Sequence, residues 1–286
     1  MAGNRERAGG TACGCGRMTQ VLPHQAQELV TRYLDTADSV CPGMIGALYL
    51  VGSVALGDFQ PSVSDVDFMA VTARQPDAAG REALAAVHEQ VRGNGQQPVF
   101  EGPYVTFDEL RASPSAAAEG PFHGDQGLGW GPNMRTPVAW VMLARHGIPV
   151  RGPEPAALGI FTSPEELRTW TLGNLGSYWA VWLERSRDHS SQAAQAMLTD
   201  WGVAWGVLGV SRLHYTLATG QITSKTGAGQ YGLDTFAARW HPIITEALRC
   251  RPRPLARPDS LEDAQPRREE ATAFVDFAIS AARGLA

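Results

Sequence analysis

Two aspartates, Asp65 and Asp67, stand at the head of an apolar run that continues Phe68-Met69-Ala70-Val71. Residues two apart on a strand project from the same face, about 7 Å apart along the backbone. Charge at the edge of such a run costs several kcal/mol unless it is compensated, and a bound cation compensates it. Magnesium suits the pair, because it takes hard oxygen ligands and is usually held by one or two carboxylates together with substrate phosphate oxygens. Two such ions stabilise both the attacking and the leaving oxygen of an in-line phosphoryl displacement. Upstream, Gly52 and Ser53 close a second apolar run, Ile45 to Val51, and ten residues separate them from Ser64-Asp65. Gly52 lets a phosphate approach the backbone, and Ser53 with the amides that follow can donate to phosphate oxygens. Asp65 and Asp67 are therefore the candidate metal ligands, and Gly52, Ser53 and Ser64 the candidate phosphate contacts.

Two cations are candidates for the same ligand. Arg212 shares a helical face with Trp201, Trp205, Leu208 and Tyr215, so it points inward, and an inward arginine wants an anion. A triphosphate or a structural carboxylate would serve equally. Lys225, near a helix end, is a second candidate of the same kind. Gly227-Ala228-Gly229-Gln230-Tyr231-Gly232 spells a dinucleotide fingerprint but follows no buried strand, and reads as a loop.

Elements of two kinds must carry these groups. Apolar residues at helical spacing mark a helix from His24 to Val40, stopped by Pro42-Gly43. The short apolar runs 45–51 and 66–72 read as buried strands. A helix over 76–92 ends at the turn signal Gly93-Asn94-Gly95, and 98–107 reads as a strand interrupted at Gly102-Pro103. Residues 113–137 are rich in proline, glycine and serine and read as a connector. Beyond them lie a short helix near 138–146 and a long one opened by Ser163-Pro164-Glu165-Glu166, a capping box with proline at the first turn. Tryptophan-bearing stripes continue to Tyr215. A Pro/Arg-rich linker over 251–266 precedes a last helix at about 268–283. The expected division is a disordered leader over 1–22, an α/β domain with a small mixed sheet over 23–120, a connector over 121–136 and an all-α helical bundle over 137–286.

The 286 residues carry 24 basic and 29 acidic side chains, so the chain has no basic field for a nucleic-acid backbone, and no nucleic-acid partner is expected. No uncharged stretch reaches the roughly 18 apolar residues of a membrane span. Of four cysteines, Cys13 and Cys15 lie in the leader, and no disulfide framework or zinc site is legible. A cytoplasmic protein, monomeric or weakly dimeric, is expected.

The segment Gly52-Ser53 through Ser64-Asp65-Val66-Asp67 resembles the nucleotidyltransferase superfamily that includes DNA polymerase β, and more specifically the aminoglycoside adenylyltransferases of the streptomycin/spectinomycin type. Arg145 to Pro153 and Ser211 to Lys225 are similar to segments of that family. The family carries its catalytic base, a glutamate, on the next strand, seven residues ahead of an acidic pair; Glu101 and Asp108-Glu109 reproduce that spacing. The resemblance implies transfer of AMP from ATP, with Mg²⁺, to a hydroxyl of a small molecule, foremost an aminoglycoside or aminocyclitol. It implies Glu101 as the base beside Asp65 and Asp67, while Arg212 and Lys225 stand as the candidate nucleotide contacts on their position alone. The alternatives are nucleotidylation of a protein or RNA acceptor, or a non-catalytic nucleotide-binding regulatory module.

Overall fold

The computed structural model describes residues 21–61, 63–92, 98–116, 119–252 and 261–285. The expected leader, except its last two residues, and the Gly93-Asn94-Gly95 turn lie outside them. Helix α1 (His24–Val40) turns Ala26, Leu29, Val30, Tyr33 and Ala37 inward, which is the 3.6-residue period of its sequence. It leads into strand β1 (Ile45–Leu50), the single turn α2 (Gly52–Ala55), β2 (Val66–Thr72), α3 (Ala78–Arg92), β3 (Phe100–Thr106) and α4 (Phe107–Arg111). A hairpin β4 (Gly120–Gly124) and β5 (Gly127–Gly131), helix α5 (Pro137–His146) and β6 (Ile148–Arg151) complete a six-stranded mixed sheet. Its order is β5-β4-β3-β2-β1-β6, with β2 and β3 parallel and the other pairs antiparallel.

Strand alternation assigns the two faces. Leu48, Leu50, Phe68, Ala70, Phe100 and Tyr104 pack with the inner sides of α1 and α3. Ala47, Tyr49, Met69, Val71 and Val105 pack with Trp140 and Leu143 of α5 on the opposite face. Asp67 is two residues before Met69, and Glu101 is four before Val105, so both acids share the face on which α5 lies. Burying one large apolar side chain in such a layer is worth about 1.5–3 kcal/mol.

The structure departs from three expectations. Residues 121–136 are not simply a connector, because 120–131 form the β4–β5 hairpin and extend the sheet. Glycine alternates along β5 (Gly127, Gly129, Gly131), so the segment shows no apolar pattern; Gly129 sits against the Phe122 ring, which leaves no room for a Cβ. β6, within the span expected to be helical, pairs with β1 through Pro149 at an edge, where a proline is tolerated. β3 is one continuous strand through Gly102-Pro103: its pairing with β2 skips those two residues, which pair with β4 instead.

The remaining residues are helical. A run from α6 (Pro164–Asn174) passes through a π-helical turn, Leu175–Trp179, into α7 (Ala180–Arg187), with Ser163 capping its start as the sequence predicts. Then follow α8 (Gln192–Ala196), α9 (Asp200–Thr219), α10 (Lys225–Thr235), α11 (His241–Cys250) and α12 (Leu261–Arg283). Helix α9 is the axis, and Val203, Val207, Leu208 and Val210 meet Ile244, Ala247, Phe274 and Ala278 in one cluster. The glycine-rich run expected as a loop is instead α10. Its start is fixed by Ser224, whose hydroxyl accepts the Gly227 amide, and Ala228, Gly229 and Gly232 are small because they are buried. The last helix begins at Leu261, with Pro266 inside it; residues 253–260 of the expected linker lie outside the described residues. Trp201 is 42% exposed, although its stripe predicts a core position; it stacks on Trp205 instead, at 5.4 Å and 12°.

Candidate active site

The ends of β1, β2 and β3 converge. Asp67 and Glu101 are direct cross-strand partners in the parallel β2–β3 ladder, so their side chains leave neighbouring strands on one face. Asp65 lies one residue before β2. From the β1 side, the Val51 amide donates to the Asp67 carbonyl at 3.0 Å and locks α2 against β2. Gly52 has φ +57, a left-handed conformation natural to glycine, and a Cβ there would collide with the Asp67 carboxylate. One residue type thus satisfies both the turn and the close approach. The Ser53 amide donates to Asp67, and the buried Ser53 hydroxyl has no partner among the described residues. Ser64 is buried at the rim, where its hydroxyl accepts the Gln60 amide at 3.0 Å and shapes the loop ahead of Asp65.

The three carboxylates repel one another. Burial, then the charges of Asp67, Asp65 and Asp125, push Glu101 up to about 8. Burial and Asp65 push Asp67 up to about 6, and burial followed by Asp125 raises Asp65. Asp125, in the β4–β5 turn, thereby adds to the negative field around the three carboxylates. Glu109 of the expected acidic pair plays a different part: it completes the capping box of α4 with Thr106 and pairs with the buried Arg135 at 2.7 Å.

Cations face the acids from the helical elements. Burial, then Arg212 and Arg251, lower Lys225 to about 8, and its ammonium lies 5.0 Å from the centre of the Trp205 ring. Burial also lowers Arg212, against the attraction of Asp67, and its Nε has no partner among the described residues. Among the described residues, no carboxylate forms an ion pair with Arg212.

Two cavities meet here. A polar one of about 290 Å³ is lined by Gly52, Ser53, Ser64, Asp65, Asp67, Glu101, Arg212 and Lys225, so every residue singled out from the sequence borders one space. Asp58 and Arg251 also line it. Asp58 lies within the ten-residue loop between Ser53 and Ser64, and Arg251 stands at the start of what reads as a linker, so neither had a sequence signal beyond its charge. A second cavity of about 690 Å³ shares Met142, Trp205 and Arg212 with the first and continues past Thr136, Trp170, Tyr178 and Ile222. Its lining includes no carboxylate.

An orphaned serine hydroxyl, an orphaned guanidinium nitrogen and three mutually repelling carboxylates are what a metal-bound triphosphate would satisfy, so the donor set fits that ligand. A second group of possible metal ligands, Asp200, Glu246 and Cys250, is instead closed by Arg267 through ion pairs at 2.6 and 3.1 Å.

Residues 183–281 match the family model described as the aminoglycoside adenylyltransferase C-terminal domain. No curated protein matches the sequence. Among solved structures, the chain is similar to a spectinomycin adenyltransferase from Enterococcus faecialis, determined with ATP and spectinomycin. The match has a TM-score of 0.62 at 12% identity and covers 90% of this chain and 99% of that one. At that identity the likeness carries the fold alone: a mixed sheet followed by a helical domain. No helix among the described residues is long and apolar enough to cross a membrane.

Proposed function

We propose that this chain, which resembles the aminoglycoside adenylyltransferases in the sequence of its last third and in its fold, transfers AMP from ATP to a hydroxyl of a small molecule. An aminoglycoside or aminocyclitol is the leading acceptor class. The observation that carries the reading is the juxtaposition, around one cavity, of Asp65, Asp67 and Glu101 with Arg212, Lys225 and the unpaired Ser53 hydroxyl. Magnesium, held by Asp65 and Asp67, would neutralise triphosphate charge and favour in-line displacement at the α-phosphorus.

The chain's own groups supply the rest. Ser53, the α2 amides and Lys225 hold the β- and γ-phosphates, and Arg212, between the two cavities, bridges toward the α-phosphate. The adenosine occupies the larger cavity, where a neutral ring finds Met142, Trp170 and Ile222 and needs no counter-charge. The acceptor enters from the β3 side, where the negative charge of Asp125 near Glu101 attracts a cationic drug. Glu101, with a proton affinity tuned close to the working pH, takes the hydroxyl proton as oxygen attacks phosphorus; pyrophosphate leaves toward Lys225.

The test is to incubate the protein with ATP, Mg²⁺ and a panel of aminoglycosides and aminocyclitols, and to weigh the products. A product heavier by one AMP supports the reading. Silence across the panel, with other nucleotides also tried, refutes the antibiotic acceptor.

A further inference from the structure

Asp58 does something the reaction scheme does not require of it. It sits in the loop between α2 and β2, yet its partners belong to the helical elements. Its carboxylate accepts the Thr226 amide at 3.1 Å and the Thr226 hydroxyl at 2.7 Å, and pairs with Arg251 Nη2 at 2.6 Å. The same Arg251 Nη2 donates to the Asp58 carbonyl at 2.7 Å, and Arg251 Nε donates to the Thr226 hydroxyl at 3.0 Å. Asp58 and Arg251 are both largely buried, with side chains only 10% and 7% exposed. The three residues form a closed ring of charge-assisted bonds, which are shorter and stronger than neutral ones.

The ring's location gives it a consequence. Thr226 directly follows Lys225 in the first turn of α10, and Asp58 is five residues beyond Ser53. The ring therefore ties the backbone that presents Lys225 to the loop that continues from the phosphate turn. Asp58, Leu56, Ser224 and Arg251 border the polar cavity and not the aromatic one. They stand at the triphosphate end, away from the adenosine.

We propose that Asp58 is a positioning residue: by gripping Thr226 and Arg251 together it fixes Lys225 relative to Ser53, and so sets affinity for the β- and γ-phosphates of the nucleotide. This rests on the reading of the cavity as a nucleoside triphosphate site. Asp58 itself contacts no reacting atom. Displacing an anchoring cation by about 1 Å can cost up to about 100-fold in a reaction that depends on its position.

The experiment is equilibrium titration of the full chain with Mg²⁺ and a non-hydrolysable ATP analogue, and separately with AMP, for wild type, Asp58→Asn, Thr226→Val and Arg251→Gln. Thr226→Val keeps shape at an exposed position and removes only the hydroxyl that joins the ring, so it tests the ring if Asp58→Asn folds poorly. The expected result is affinity for the triphosphate down about 10- to 100-fold in Asp58→Asn and about 3- to 10-fold in Thr226→Val, with AMP affinity within twofold. Asp58→Asn and Arg251→Gln should be less than additive, because each breaks the same ring. Triphosphate affinity unchanged in both Asp58→Asn and Thr226→Val, or equal losses for ATP analogue and AMP, would overturn the inference. A wild-type chain that binds no nucleotide would instead overturn the triphosphate reading, and this inference with it.

Discussion

Asp67→Asn should abolish the reaction and at the same time stabilise the metal-free protein. In the folded chain Asp67 is raised from an ordinary 3.8 to about 6, by burial first and by Asp65 second. A carboxylate whose folded pKa lies above its unfolded value stabilises the fold only while protonated; that contribution is full below about pH 4 and is lost as pH rises through about 6. A shift of about two units corresponds to about 3 kcal/mol at pH 7.5, which the asparagine, carrying no charge, does not incur. For a chain of this size the gain is about 6 °C in melting temperature. The gain should fall to about half at pH 5 and nearly vanish below pH 4. The assay is thermal unfolding of both proteins in chelator across that range, repeated with Mg²⁺ and a non-hydrolysable ATP analogue, which should stabilise the wild type and leave the variant little changed. No gain in chelator, or a gain of the same size at every pH, would refute the argument that Asp67 is held as an uncompensated charge.

Three further outcomes follow from the same geometry. Glu101→Gln should lower turnover by about 10²- to 10⁴-fold while leaving the affinity for the ATP analogue nearly unchanged, as measured by steady-state rates and titration in parallel. Lys225 is lowered to about 8 by burial and neighbouring cations, and a bound triphosphate must raise it again. Nucleotide binding near pH 8.5 should therefore take up a proton, and affinity should weaken as pH rises above about 8; calorimetry in two buffers of different ionisation heat should show an uptake that is missing in Lys225→Met. Gly52→Ala combines a left-handed backbone with a methyl group driven into the Asp67 carboxylate, and should cost about 1–3 kcal/mol of stability together with most of the activity, read by denaturant unfolding and product formation.

What the sequence made legible was chemistry concentrated in short range. Gly52-Ser53 and Ser64-Asp65-Val66-Asp67 are read from spacing and alternation alone, and both ends of the loop border one cavity in the structure. Glu101 needed the family resemblance, because its closeness to Asp67 depends on β2 and β3 being parallel neighbours in register, a pairing that local patterns do not specify. The β4–β5 hairpin was hidden because alternate residues of β5 are glycines, Gly129 among them packed against Phe122, which erases the apolar signal of a strand. The helical α10 was hidden for a related reason: Gly229 packs against Leu208 of α9 and Leu248 of α11, Gly232 against Ile244 of α11, and tertiary contact overrides their low helix propensity. Asp58 and Arg251 are 193 residues apart, and nothing in either local sequence points to the other.

The central claim is that Asp65, Asp67 and Glu101 face a nucleotide gripped by Arg212 and Lys225, with a hydroxyl acceptor on the β3 side. Its most direct test is pyrophosphate release from ATP and Mg²⁺, with and without aminoglycosides and aminocyclitols, using Asp65→Asn as the blank. Release that requires both the acceptor and Asp65 is the predicted result. Release that is the same in Asp65→Asn, or no release with any acceptor or nucleotide, would contradict it.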